Sequence, residues 1–274
     1  MTQADRWSGG AAYESYVGRL SRRVAAIFVD WLDVPAGADW VDVGCGTGAL
    51  TATILDRAAP ASVVGIDPSD AFLADARAAI KDTRARFEAG PANALPLPSR
   101  HADAIVAGLV LNFVPDVGDA MAELRRVARP GGRVGAYVWD YAERMEPIRR
   151  FFDVALTVDA DAAEADESAR FPICRPGPLG DAFRAAGLSD VTVREIEVPA
   201  EYADFDAYWT PFLSGVGAAP RYLVGLEADA QDAIRERLRA TLPTQADGSI
   251  RLVARAWAAR GRTDGPAPMD GVGA

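Results

Sequence analysis

Cysteine, long apolar runs and secretion signals are scarce or missing in this chain. Its 274 residues include two cysteines, Cys45 and Cys174, which lie far apart and lack the spacing of a metal site or a disulfide framework. No apolar run approaches the roughly 20 residues that a membrane-spanning helix needs. No charged segment followed by an apolar one precedes Trp7, as a secretory signal would require. We therefore expect a protein of the reducing cytoplasm, with no membrane as a partner.

Positive charge is also in short supply. The chain has 39 acidic and 29 basic residues and a formal net charge of −10. Because its basic residues do not cluster, the phosphate backbone of nucleic acids should repel it. A small-molecule substrate is the expected partner, and a monomer or homodimer is the expected assembly. The single histidine, His101, precedes the fourth predicted strand, at the end opposite the usual ligand side, so we interpret it as a surface residue.

The most informative stretch runs from Trp40 to Thr51 and reads W-V-D-V-G-C-G-T-G-A-L-T. Its β-branched beginning predicts a buried strand. The good helix formers of Thr47 to Leu55 predict a helix that Thr47 could cap. Three glycines lie between these elements at alternate positions: Gly44, Gly46 and Gly48. Such a loop lets a ligand approach the main chain closely, and the free N–H groups of the helix start can bind it.

A second strand, predicted over Ser62 to Ile66, ends at Asp67. An acidic residue at this place can accept hydrogen bonds from both hydroxyls of a ribose. The alternative is that Asp67 caps the helix that begins near Ser69, with Pro68 in its first turn. The glycine pattern G-x-G-x-G is one residue shorter than the G-x-G-x-x-G of dinucleotide-binding proteins. The spacing therefore argues against a nicotinamide cofactor, although the ribose contact suits either ligand.

The segments D-V-G-C-G-T-G and G-I-D-P-S resemble motifs I and II of the class I S-adenosylmethionine-dependent methyltransferases. The turn L-R-R-V-A-R-P-G-G-R-V, before the fifth predicted strand, is similar to that family as well. The resemblance covers residues 12–139. It implies S-adenosylmethionine as the cofactor and a cytoplasmic enzyme that methylates oxygen, nitrogen or carbon of a small molecule. No metal site is expected.

The resemblance also implies contacts to the cofactor. In this family a leader helix, here predicted within Tyr13 to Leu32, often folds over the cofactor, and Tyr16 and Arg19 would then lie near the cofactor's carboxylate. The alternative is an ordinary packing helix. The family commonly shows G-D-A-x-x-L-P where this chain has A-G-P-A-N-A-L-P, so Pro91 replaces an acidic residue and removes a backbone donor. In the family, that acidic side chain and a backbone N–H bind the edge of the adenine. Here the contact with adenine then falls to the Ala92 N–H and the Asn93 side chain. The residues expected to bind the cofactor are Tyr16, Arg19, Asp42, Gly44, Cys45, Gly46, Gly48, Asp67, Pro68, Ala92, Asn93, Ala94 and Leu109.

Strands, glycine turns and helices alternate over residues 39–139, which predicts an α/β fold with a doubly wound, Rossmann-like sheet. We expect seven strands in total, with a C-terminal antiparallel hairpin. The expected organisation is a helical leader over residues 1–38, a methyltransferase domain over 39–262 and a disordered tail over 263–274. Helical cap insertions are expected around 141–180 and 204–245. Within the first cap, the acidic segment Asp159 to Ser168 is interpreted as a solvated helix or loop.

Candidates for catalysis are few. Asp140 stands at the carboxyl end of the fifth predicted strand, where it could act as a general base, with Tyr141 as a possible partner; the alternative is a loop or helix-capping aspartate. Asn112 could orient a substrate, or could be a loop amide satisfied by the backbone. Seven aromatic residues could line an apolar pocket for a hydrophobic substrate or form a core: Trp139, Tyr141, Phe151, Phe152, Tyr208, Trp209 and Phe212.

The sequence thus favours a methyltransferase that acts on a small, hydrophobic molecule by in-line methyl transfer. Two other functions remain open. One is a protein that keeps the S-adenosylmethionine site without methylating, because the sequence offers no clear base. The other is a nicotinamide-dependent oxidoreductase, against which the short glycine pattern argues.

Overall fold

A computed structural model describes residues 14–265 of the chain. Its seven strands form one sheet in the order β3-β2-β1-β4-β5-β7-β6. The strands are β1 (Asp39–Val43), β2 (Ser62–Asp67), β3 (Ala85–Ala89), β4 (Ala102–Gly108), β5 (Ala128–Trp139), β6 (Ser189–Tyr202) and β7 (Ile250–Arg262). The first five strands pair in parallel. The predicted doubly wound α/β fold and its C-terminal antiparallel part are confirmed.

The strand order reverses between β1 and β4. From β1 the chain winds outward through β2 to β3, and it then returns to the other side of β1 to form β4 and β5. The connections leaving the carboxyl ends of β1 and β4 therefore run in opposite directions and leave a crevice there, where ligands of such sheets bind. The β1 end carries the glycine loop that the sequence singled out.

Helices occupy most of the remaining described chain. They comprise Arg19–Leu32, Ala49–Arg57, Asp70–Ala79, Val117–Val127, Glu146–Ala155, Ala162–Ala165, Glu167–Arg170, Pro176–Ala185, Phe205–Trp209, Ala218–Val224 and Ala228–Thr241. Glu14–Gly18 is a π-helical turn and Thr210–Ser214 a 3₁₀ helix. None of the helices that the structure describes is both long and apolar enough to cross a membrane.

The chain divides into two compact units. One contains residues 28–137, 179–194 and 258–274 as far as they are described, and thus the strands β1 to β4. Its core is the parallel sheet, in which Trp40, Val41 and Ile66 are completely buried. The other contains the described residues up to 27, then 138–178 and 195–257. Its core is built from aromatic side chains such as Phe151, Tyr208 and Phe212, each at most 1% exposed.

Two local expectations need correction. Thr47 does not cap the first helix after β1, because that helix begins at Ala49, and its N-cap is Gly48 in the left-handed conformation. The acidic segment of residues 159–168 is not solvated throughout, since Asp166 and Glu167 are 6% and 3% exposed. Of the predicted disordered tail, residues 266–274 lie outside the described chain, as do residues 1–13 of the predicted leader.

Candidate active site

The glycine loop is fastened to the end of β2. The N–H groups of Gly44 and Cys45 both donate to the carbonyl oxygen of Ile66, at 2.7 and 3.0 Å. All three glycines have positive φ angles, of 70°, 52° and 89° for Gly44, Gly46 and Gly48, a conformation that side chains with a Cβ rarely adopt. The sequence of the loop therefore fixes its path over the crevice.

The glycines differ in what lies beside them. A Cβ on Gly44 would lie 2.3 Å from Cγ2 of Val110, so this position needs glycine for packing. A Cβ on Gly46 would meet no protein atom within 4 Å. The main chain at Gly46 thus borders open space, and a ligand can come into direct contact with it.

Asp67 joins the loop to the second strand. Its Oδ2 accepts a hydrogen bond from the Gly46 N–H at 3.0 Å, and its Oδ1 accepts one from the Ser69 N–H at 2.9 Å. The helix that follows is capped by Ser69, whose hydroxyl accepts from the Phe72 N–H. The alternative that Asp67 is the helix cap is therefore wrong. A carboxylate has about four lone-pair positions, so two acceptor sites are left for ribose hydroxyls.

Asp42 lies beneath the loop. Its side chain is 1% exposed, and its Oδ2 accepts a hydrogen bond from Thr51 Oγ1 at 2.7 Å. Burial raises the pKa of Asp42 to about 7, assisted by the charge of Asp67 and opposed by the bond from Thr51. Asp42 consequently connects β1 to the helix after the loop. It would influence a bound ligand only indirectly, by fixing the shape of the loop.

The segment after β3 offers a free main-chain donor. The Ala94 N–H donates to the carbonyl oxygen of Pro91, and the Leu95 N–H donates to Glu123 at 2.8 Å. Within residues 14–265 the N–H of Ala92 has no such acceptor. Asn93 and Pro68 are exposed, so their side chains are accessible from solvent.

Beyond β4, Leu109 takes the left-handed conformation with φ of 60°, although it is not a glycine. Such backbone strain, of about 1–3 kcal/mol, concentrates at functional sites. The Leu109 N–H donates to the carbonyl oxygen of Tyr137, which holds the strained turn in place. Asn112 follows at 8% exposure, and its buried Nδ2 has no hydrogen-bond partner in the described chain. The alternative of a loop amide satisfied by the backbone does not account for this donor.

Asp140 belongs to the other unit, where its carboxylate makes several structural hydrogen bonds. Its carboxylate accepts from the N–H groups of Glu143 and Arg144 and from Arg255 Nε at 2.7 Å. Asp140 and Arg255 form an ion pair, and both residues are buried. The sequence did not predict this pair. These contacts favour the turn-capping alternative over a general base.

Tyr16 and Arg19, expected beside the cofactor's carboxylate, also belong to that unit. Tyr16 is 5% exposed, and its hydroxyl has no hydrogen-bond partner among the described residues. Arg19 is exposed, and its guanidinium lies 4.5 Å from the centroid of the Tyr202 ring. All seven aromatic residues considered for a pocket are at most 5% exposed. Their burial favours the alternative that they form a core.

Comparison with known proteins agrees with the geometry. The family profile described as "Methyltransferase domain" matches residues 41–135. A demethylmenaquinone methyltransferase of Roseiflexus sp. is 33% identical over 196 residues, which cover 66% of this chain and 80% of that protein. A 37.1 kDa protein in a transposon of Streptomyces fradiae is 36% identical over 135 residues, and the match covers 46% of this chain and only 39% of that protein.

Among solved structures, phosphoethanolamine N-methyltransferase 2 of Haemonchus contortus, in complex with S-adenosyl-L-methionine, superposes with a TM-score of 0.57 at 15% identity. The match covers 93% of this chain and 56% of that one, and at this identity it supports the fold alone. Together with the Roseiflexus relative and the glycine loop joined to Asp67, it leads to one assignment. The chain belongs to the class I S-adenosylmethionine-dependent methyltransferases.

Proposed function

We propose that this protein transfers the methyl group of S-adenosylmethionine to a small, hydrophobic acceptor molecule. The observation that carries the proposal is the open main chain at Gly46, whose N–H is held by Asp67 at the end of β2. A loop of this shape can be covered closely by the methionine part of the cofactor, while the carboxylate beside it accepts from the ribose. The N–H of Ala92 and the side chain of Asn93 are the proposed adenine contacts.

The remaining residues expected to bind the cofactor keep supporting roles. Gly44, Cys45 and Gly48 shape the loop, Asp42 supports it from below, and Pro68 and Ala94 border the ribose and adenine positions. The strained turn at Leu109 presents main chain to the methionine part. Tyr16 and Arg19 are retained as candidates for its carboxylate. Bound in this way, the sulfonium supplies an already activated methyl carbon, so the protein's main task is to hold the acceptor atom in line with it.

Asn112 is the proposed orienting residue. Its buried Nδ2 is a donor without an acceptor in the described chain, and leaving such a group unsatisfied costs about 1–3 kcal/mol. An acceptor oxygen on the substrate would satisfy it. Asp140 is a weaker candidate for the base, because three donors already occupy its carboxylate. This occupied carboxylate is consistent with a methyl transfer that depends on the placement of the acceptor atom and needs no general base.

The substrate class rests on composition and on relatives. The net charge of −10 disfavours nucleic acids, and the name of the Roseiflexus relative points to a hydrophobic quinone precursor as its substrate. By analogy, we propose that the methyl acceptor of this protein is also apolar and carries one reactive heteroatom or carbon. Action in the cytoplasm, as a monomer or homodimer, completes the proposal.

Calorimetric titration with S-adenosylhomocysteine, S-adenosylmethionine and NAD tests the cofactor. The two sulfur compounds should bind with similar affinity, and NAD should not bind. Incubation with S-adenosylmethionine labelled in the methyl group, together with a panel of quinols, phenols and amines, then tests transfer. Binding without transfer to any member would favour a binding protein of this fold, and binding of NAD alone would refute the assignment.

A further inference from the structure

Three arginines gather where the main part of β5 begins and β7 ends, in a cluster that the cofactor site does not use. The Thr263 N–H, just after β7, donates to the carbonyl oxygen of Gly132 on β5 at 3.0 Å. The next residues along these antiparallel strands, Arg133 and Arg262, therefore lie opposite each other. Arg260 is two positions before Arg262 and projects from the same face of the sheet. The sequence did not indicate this cluster, because its members come from two strands that are distant along the chain.

Arg133 is the most enclosed of the three arginines. It is 9% exposed, and its guanidinium forms neither a hydrogen bond nor an ion pair with any residue in the range 14–265. Its nitrogen atoms still reach solvent, so a ligand can approach them. A guanidinium keeps its charge at every physiological pH. A charge that is buried to this degree and left without a partner destabilises the fold, unless an anion from outside the chain pairs with it.

The neighbouring charges increase this imbalance. Burial lowers the pKa of Arg133 below its usual value, and the positive charges of Arg262 and Arg260 lower it further. The negative charges of Asp33 and Asp190 oppose this shift more weakly. In the described chain, neither aspartate forms an ion pair with an arginine of the cluster. The cluster therefore keeps an excess of positive charge, on a chain whose formal net charge is −10.

The other two arginines differ in how firmly they are held. Arg260 donates from Nη1 to the carbonyl oxygen of Trp31 and from Nε to Thr192 Oγ1, the latter at 3.3 Å. Its guanidinium also lies 4.7 Å from the centroid of the Trp31 ring. Arg262 is exposed, and its guanidinium, like that of Arg133, has no partner among the described residues. Two guanidiniums on adjacent strands are thus available to a ligand, beside a third that is fixed in place.

We propose that Arg133 and Arg262, flanked by Arg260, bind a phosphate dianion, either free phosphate or the end of a phosphate monoester. Each planar guanidinium can donate paired hydrogen bonds, and a terminal phosphate has three charged oxygens to accept them. A carboxylate has only two such oxygens and a single negative charge.

This site is separate from the cofactor crevice and goes beyond the proposed function. Arg133 pairs with Ala104, near the amino end of β4. The glycine loop and Asp67 instead follow the carboxyl ends of β1 and β2, where ligands of such sheets bind. A phosphate bound at the arginines should therefore leave the affinity for S-adenosylhomocysteine unchanged.

Calorimetric titration of the full chain with inorganic phosphate, phenyl phosphate and dimethyl phosphate tests the site. The first two should bind with dissociation constants of about 1 mM or below, and dimethyl phosphate, a diester with one charge, at least about tenfold more weakly. Arg133→Met and Arg262→Met should each weaken phosphate binding about tenfold or more, because charged hydrogen bonds are lost. Arg100→Met is the matched control, since Arg100 is exposed, belongs to the same unit and has no side-chain partner in the described chain.

Thermal unfolding provides a second readout. Without phosphate, Arg133→Met should melt at or above the wild-type temperature, since it removes an unpaired charge. Phosphate, compared with chloride at equal ionic strength, should raise the melting temperature of the wild type and of Arg100→Met, but not that of Arg133→Met.

Four results would overturn the phosphate site: no binding of phosphate to the wild type, equal binding of dimethyl phosphate, unchanged binding in both arginine variants, or competition with S-adenosylhomocysteine. Competition would locate the anion at the glycine loop, where main-chain N–H groups at the start of a helix can also bind it. If the wild type binds phosphate through Arg133 but does not bind S-adenosylhomocysteine, the proposed function fails and the phosphate site stands.

Discussion

Replacement of Gly46 by alanine distinguishes a ligand-facing loop from an ordinary tight turn. Gly46 has φ of 52°, and a Cβ there would meet no protein atom within 4 Å. Gly131 provides a matched control in the same unit, with φ of 76° and equally open space around a Cβ, at the turn before the main part of β5. The left-handed conformation costs a residue with a Cβ about 1–2 kcal/mol. Both variants should therefore lose a similar amount of unfolding free energy.

Only Gly46→Ala should lose affinity. A ligand in contact with the main chain at Gly46 would overlap with the new methyl group and lose several contacts at once. We expect binding of S-adenosylhomocysteine to weaken by about 100-fold, or ~2.7 kcal/mol, and Gly46→Val to abolish it. Gly131→Ala should bind like the wild type. Chemical denaturation and calorimetric titration measure the two quantities. Equal stability loss in both alanine variants, with unchanged affinity in both, would show that no ligand contacts the loop.

Three further predictions concern buried carboxylates. Asp67→Ala should weaken S-adenosylhomocysteine binding by about one to three orders of magnitude and also lower stability, because the bond to Gly46 is lost; a melting-temperature loss alone would exclude ribose binding. Asp42 has its pKa raised from 3.8 to about 7, so its contribution to the free energy of unfolding is fully present below pH 3.8 and is lost as the pH rises from there to about 7. Chemical denaturation should therefore show that the wild type loses unfolding free energy relative to Asp42→Asn as the pH rises to about 7. A difference in unfolding free energy that stays constant with pH would contradict this prediction. Arg255→Met should lower the free energy of unfolding by about 3–5 kcal/mol, since it leaves the buried Asp140 carboxylate without the guanidinium that pairs with it. If Asp140→Asn instead kept full stability and lost methyl transfer, Asp140 would act as the general base.

The parts that the sequence predicted well are those that local chemistry determines. A β-branched run followed by three alternating glycines can hardly be anything but strand, loop and helix, and β1 and the helix Ala49–Arg57 lie within two residues of the expected places. The ribose candidate was found for the same reason, because Asp67 follows a buried strand directly. The structure places the Asp67 carboxylate beside the glycine loop, while the contact with a ribose stays a prediction.

The parts that it missed depend on contacts between distant segments. Asp140 and Arg255 are 115 positions apart, so their ion pair leaves no local pattern. Glu167 stands in an acidic, alanine-rich segment whose composition is typical of solvated chain, yet tertiary packing buries it. The unsatisfied amide of Asn112 is equally invisible, because an asparagine in a loop looks the same whether or not the backbone reaches it.

The bond from the Gly46 N–H to Asp67 also bears on how fast a ligand is captured. A glycine-rich loop without such a bond would sample many conformations, and each arriving ligand would have to select the one that fits. With its middle fastened to β2, the loop presents a single binding surface from the outset. Association should then proceed in one kinetic phase, with a rate limited by diffusion and orientation rather than by loop ordering. Changes in affinity at this site should accordingly appear mainly in how long the ligand stays bound.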